Sequence, residues 1–170
     1  MSTLKNKLAA LGLSAALVIS GTYLVAPFEG KENKVYLDPV GILTSCYGHT
    51  GKELKKGQTF TDEQCLEQLA EDLVEHDRQM MRLVRVPISD KERAAYLSFV
   101  YNVGVGNFSK STLLRKLNTK DYVGACNELP RWNKAGGKIL NGLTRRREAE
   151  MKMCLEGASD AIKQKLAKPL

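Results

Sequence analysis

Leu8 to Phe28 is a run of 21 positions without a charged side chain, preceded directly by Lys5 and Lys7. Nothing else in the chain constrains its architecture as much. As one helix the run would reach about 31 Å at 1.5 Å per residue, close to the ~30 Å hydrocarbon core of a bilayer. The lysines predict a cytoplasmic N-terminus, with everything after Phe28 outside the inner membrane. A cleaved signal peptide is the competing expectation. The sequence Leu24-Val25-Ala26-Pro27 argues against cleavage there, since it offers a bulky residue where a small one is preferred and a proline just beyond. Val18-Ile19-Ser20 is only a weak upstream alternative. Ten of the 21 residues are Gly, Ala, Ser or Thr, which add little to membrane insertion. The expectation is an uncleaved helix that the bilayer holds weakly. An ordinary anchor or a small-residue dimerisation face is the plainer alternative.

Beyond Phe28 the pattern is mainly helical with one small β region. Val35 to His49 carries β-branched and aromatic residues interrupted by Asp38-Pro39-Val40-Gly41, which predicts a hairpin. Thr61-x-x-Gln64 is a capping box. It opens a helix on which Cys65, Leu66, Leu69, Leu73 and Met80 recur at helical spacing. This helix is expected to reach Leu83 and to link two lobes. Ser89-x-x-Glu92 caps a second helix, which Gly104 ends. Ser111 to Leu117 predicts a helical turn, and Asp121 to Leu129 a helix stopped by Pro130. A final helix is expected from Thr144 to Gly157. Arg145-Arg146-Arg147 would oppose the dipole of its first turn; a solvated basic face is the favoured reading for them, over ion pairs or contacts with an anionic substrate. Residues 158–170 read as a basic tail.

Chemistry concentrates between Glu29 and His49. Glu29 and Asp38 are nine positions apart, and Thr44 follows six later. An acid, a second carboxylate and a hydroxyl able to hold water are what glycosidic cleavage requires. Glu29, next to Phe28, is the candidate general acid, because apolar neighbours help a carboxyl keep its proton. Asp38 would remain ionised, orienting water or steadying positive charge at the anomeric carbon, and Thr44 would position the water. Taken singly, Glu29 is a helix-terminal charge and Asp38 a turn former before proline. Glu32, one helical turn from Glu29, is the decoy.

The pattern Glu-x8-Asp-x5-Thr, ending in Gly48-His49-Thr50-Gly51, resembles the active-site signature of phage lysozymes, glycoside hydrolase family 24. The resemblance continues through Phe99-Val100-Tyr101-Asn102-Val103-Gly104, Phe108-x-x-Ser111-x-Leu113, and Trp132 with Gly136-Gly137, covering nearly all of Glu29 to Gly157. It implies an α+β, mainly α, two-lobed lysozyme-like fold. Such a fold has a small β-hairpin lobe, a long connecting helix and a helical C-terminal lobe, here preceded by the N-terminal apolar helix. The resemblance also places Tyr101, Asn102 and Ser111 along the cleft, and His49 behind the active site as a structural ion-pair partner of Asp72. Trp132 is read as core rather than as a sugar platform. Residues 1–28 resemble the signal-arrest-release segments of certain endolysins. The implied organisation is a signal anchor over 1–28, a muramidase domain over 29–157 and a tail over 158–170.

Cys46, Cys65, Cys126 and Cys154 are even in number and suit an oxidising compartment. None has metal-site spacing. Three pairings are possible, as are buried free thiols. Cys46–Cys65 with Cys126–Cys154 is favoured, since it staples each lobe separately.

The formal net charge of +7 points to an anionic partner surface. Nucleic acid is disfavoured, because no zinc-finger spacing or RNA-binding aromatic motif accompanies the cations. Neither a cofactor nor a metal is expected. The leading reading is an endolysin acting on peptidoglycan, held at the host inner membrane through residues 8–28. It would then be released to the periplasm as a monomer, with a holin as an indirect partner. The alternatives are a membrane-disrupting basic protein and a non-catalytic cell-wall-binding module.

Overall fold

The computed structural model describes residues 3–166, with side chains through residue 160; the end of the basic tail, 167–170, lies outside the described residues. The apolar N-terminal run is not one helix. It divides into α1 (Leu4–Ala10), a turn at Leu11-Gly12, and a continuous helical stretch made of α2 (Ala15–Ile19), a π-helical segment (Ser20–Val25) and α3 (Ala26–Glu29). Among the described residues no helix is long and apolar enough to cross a membrane. The uninterrupted stretch from Ala15 to Glu29 would reach only about 22 Å. Proline explains the π turn. Pro27 cannot donate to the carbonyl one turn back, and its ring would clash with that carbonyl. Widening the turn just before it, with Ala26 N–H donating to Gly21 O, relieves the clash.

This stretch lies in the core instead of beside it. Leu8, Ala16, Leu17, Val18, Leu24 and Val25 are all buried, in one cluster with Leu69 and Leu73. Ser20 and Gly21 are buried with them. A methyl group on Gly21 would come within 2.8 Å of both Leu73 Cδ1 and Leu8 Cδ1. Small residues are therefore a packing requirement here, whatever they do to membrane affinity.

The chain then forms an antiparallel hairpin of β1 (Glu32–Leu37) and β2 (Leu43–Cys46), with Tyr36 opposite Thr44 and Leu37 opposite Leu43. Helix α4 (Asp62–Met81) starts at the expected Thr61 capping box and leads from the β lobe to the helical lobe. Helix α5 (Asp90–Val103), capped by Ser89 and Glu92, is buried along most of its length. Short helices follow: α6 (Val105–Ser109), α7 (Thr112–Asn118) and α8 (Tyr122–Cys126). A 3-10 turn (Leu129–Arg131) and a small hairpin of β3 (Lys134–Ala135) and β4 (Lys138–Ile139) lead into α9 (Asn141–Leu166). Helix α9 packs on α5.

Several boundaries differ from expectation. Helix α9 begins at Asn141, so Arg145–Arg147 lie beyond its first turn and the dipole argument does not apply to them. Thr144 is no cap; its hydroxyl donates to Leu140 O and accepts from Asn133. The helix also passes Gly157, and Ala158 is buried, so the tail begins later than its composition suggests. The predicted helix from Asp121 to Leu129 stops at Cys126.

Disulfides join Cys46 to Cys65 and Cys126 to Cys154, the two local loops favoured from the sequence. The first ties β2 to α4 and the second ties α8 to α9.

Candidate active site

Glu29 is the last residue of α3, so the N-terminal segment itself carries it to its place. Its Oε1 accepts a hydrogen bond from Arg146 Nη1 at 2.6 Å, a charged pair with side-chain exposures of 21% and 4%. The adjacent Phe28 ring lies 5.9 Å from the same guanidinium, within cation–π range. Glu29 faces a cavity of about 510 Å³ that it lines with Lys31, Glu32, Lys34, Val35 and Tyr36. Glu32 shares the cavity but is exposed and turns back to the Lys34 backbone N–H. Lys31 is held by Asp62 at 2.6 Å.

Asp38 closes the hairpin. Its Oδ1 accepts from the backbone N–H groups of Val40 at 2.9 Å and Ile42 at 2.8 Å. The turn therefore fixes the carboxylate in place. Thr44 is buried on β2, and its hydroxyl donates to Ile42 O at 3.1 Å. Its lone pairs remain for a water. Tyr36 connects these groups, since it stands opposite Thr44 in the sheet. Burial pushes its phenol pKa up, and the nearby negative charges of Glu29, Asp38 and Glu32 add to the rise.

His49 pairs with Asp72, the partner expected for it. Nδ1 bonds the Asp72 carboxylate at 2.8 Å and Nε2 bonds Glu53 at 2.7 Å. These partners raise the imidazole pKa to about 9. Tyr101 donates to Tyr47 O at 2.7 Å and is partly buried; that desolvation, with the negative charges of Asp72 and Glu29 nearby, pushes its phenol up as well. Asn102 Oδ1 accepts from Arg147 Nη2 at 3.1 Å. Ser111 does not line the Glu29 cavity. Its hydroxyl caps α7 through Leu114 N–H, donates to Phe108 O, and borders a separate cavity of about 600 Å³ with Arg85 and Arg115. Trp132 packs edge-on against Phe99, at 5.3 Å between centroids, as a core residue does. Among the described residues no group of His, Cys, Asp or Glu could hold a metal ion.

The sequence pattern does not mark Tyr36, Arg146 and Glu150 as site residues. Arg146 is 3% and Arg147 0% exposed, so the solvated basic face is limited to Arg145. The only signal was the clustering of three arginines on an otherwise ordinary helix. Nothing in the sequence could show which one reaches Glu29, 117 positions away.

The phage lysozyme family model matches residues 26–150. A SAR-endolysin of Bacteriophage PS119 is 45% identical over 159 residues, covering 91% of this chain and 95% of that protein. A mutant of P22 lysozyme superposes with a TM-score of 0.69 at 37% identity, covering 80% of this chain and 94% of that one. The active form of P1 phage endolysin Lyz gives a TM-score of 0.79 at 23% identity, covering 92% and 96%, and so shares the fold.

Proposed function

Because the chain belongs to the phage lysozyme family, and is thus a glycoside hydrolase of peptidoglycan, we propose that it cuts the β-1,4 bond between N-acetylmuramic acid and N-acetylglucosamine, with Glu29 as general acid. The observation that carries this is Glu29 at the cavity wall, gripped by a buried Arg146. The acid protonates the leaving oxygen, and the guanidinium stabilises the carboxylate left behind. Asp38 steadies positive charge at the anomeric carbon or orients water held by Thr44. Tyr101 and Asn102 line the substrate cleft.

The same reading extends to regulation. Residues 8–28 serve as an inner-membrane anchor with a cytoplasmic N-terminus, as the SAR-endolysin name of the PS119 relative suggests. Leu17, Val18, Leu24 and Val25 cannot face lipid and fill this core at once. A tethered molecule therefore lacks part of its core, and its Glu29 is pinned at the lipid surface. Release to the periplasm completes the fold and the site together, giving an active monomer that lyses the host. A holin acts only indirectly, by collapsing the membrane potential.

Clearing of isolated cell walls by full-length variants tests the chemistry. Glu29→Gln should abolish clearing while the protein still melts cooperatively, and Glu32→Gln should retain it. The reverse pattern would move the acid to Glu32. Full killing by Glu29→Gln would point to membrane disruption.

A further inference from the structure

The arginine that grips Glu29 is itself gripped from behind. Glu150, on the inner face of α9, has a fully buried side chain. Its Oε1 accepts from Arg146 Nε at 3.3 Å, Arg147 Nη2 at 3.1 Å and Ser98 Oγ at 2.7 Å. Its Oε2 lies 2.8 Å from Arg147 Nε in an ion contact not aligned as a hydrogen bond. Arg147 stacks on Phe99 at 5.0 Å and reaches Asn102. Ser98 completes the mount by accepting from Arg146 Nη2 through its backbone carbonyl at 3.2 Å. Arg146 and Arg147 stand four and three residues before Glu150 on one helix, so a single turn of α9 presents all of them to α5 and α3.

The charge count gives Glu150 its significance. Two guanidiniums and two carboxylates sum to zero when Glu29 is ionised and to one positive charge when it holds a proton. Without Glu150 both totals rise by one, and two uncompensated arginines would favour the ionised Glu29. Burial pushes the Glu150 carboxyl up and the Arg147 guanidinium down, and each charge opposes the shift in the other.

We propose that Glu150 is a positioning residue for the glycosidase reaction, aiming Arg146 at Glu29 and cancelling the second guanidinium so that Glu29 can carry a proton at working pH. The proposal rests on Glu29 being the general acid. Other groups face Glu29 as well. Lys31, Glu32, Lys34 and Tyr36 come from the β lobe, and Tyr101 comes from α5. Lys31 is paired with Asp62 and Glu32 is solvated, so neither substitutes for a buried counter-charge.

The test is the pH profile of wall clearing by the full-length, released protein. Glu150→Gln should move the alkaline limb to lower pH by about one unit, the size of shift a nearby charge produces. Activity should return at acidic pH. Adding Arg147→Gln to that variant removes the surplus charge and should restore the limb. An unmoved limb, or an equal loss at every pH that Arg147→Gln does not rescue, would show a merely structural role and overturn the proposal. Should Glu150→Gln not fold, Arg147→Gln alone carries the test: its limb should move to higher pH, and an unmoved limb overturns the idea. Glu29→Gln runs alongside. If it stays active, the reading beneath the proposal fails; if it is dead and the limbs stay put, only the positioning role fails.

Discussion

Gly48 lies against Glu29 so closely that a methyl group on its Cα would sit 2.7 Å from Glu29 Oε2 and 3.2 Å from the carboxyl carbon. The glycine also has φ +76°, a conformation that other residues adopt at a cost. Its position after β2 thus sets one wall of the Glu29 seat, and Arg146 sets the other.

Gly48→Ala should therefore lose activity by more than its stability loss explains. Backbone strain should cost about 1–2 kcal/mol, while displacement of a carboxylate already pinned by Arg146 should lower wall clearing at least tenfold. Gly57→Ala is the control. It has φ +84° but nothing within 4 Å of an added methyl, so it should share the strain and keep the activity. Equal activity in both variants would mean that the Gly48 contact does not matter.

The His49 cluster predicts a pH dependence of stability. Its pKa of about 9 in the fold, set chiefly by the Asp72 hydrogen bond, lies above the unfolded value near 6.5. A raised pKa stabilises fully below the unfolded value and loses that contribution as pH climbs through the folded one. Unfolding free energy should fall by roughly 2–3 kcal/mol between about pH 6.5 and 9. Denaturant titrations across that range should show the slope, and His49→Asn should flatten it.

The proposed anchor can be locked without damaging the fold only at positions the core does not use. Gly21 is unsuitable, because Leu73 and Leu8 leave no space for a side chain. Ala9, Ala10, Ser14 and Ala15 are exposed. Leucine at all four should hold the protein in the bilayer and delay lysis, while detergent-released protein should clear walls normally. Fast lysis by a variant that remains in the membrane fraction would rule out release as the switch. Deleting residues 1–26, by contrast, should abolish cooperative unfolding, since it removes Leu17, Val18, Leu24 and Val25 from the core.

Each disulfide should contribute about 3 kcal/mol by restricting the unfolded chain. The sequence separations of 19 and 28 give similar loop entropies. Paired Cys→Ser variants should each lower the melting temperature by a comparable amount. Non-reducing peptide maps of periplasmic protein should contain only the two local pairs, and a Cys46–Cys126 or Cys46–Cys154 peptide would contradict the arrangement.

Local signals in the sequence determined the parts that depend on neighbours along the chain. The Thr61 and Ser89 capping boxes placed the starts of α4 and α5, because a cap needs only four consecutive positions. The Asp38-Pro39-Val40-Gly41 turn placed the hairpin for the same reason, and the spacing from Glu29 to Thr44 carried the resemblance to the family. Tertiary structure decided everything set by contact across long separations. It folded the apolar run of residues 8–28 into the core, a choice hydropathy cannot make, because hydrophobic burial in protein and in lipid calls for the same residues. Pairing with Glu29 and Glu150 selected Arg146 and Arg147 from three adjacent arginines. A buried charge is tolerated only where a partner meets it, and no local pattern records where that partner will be.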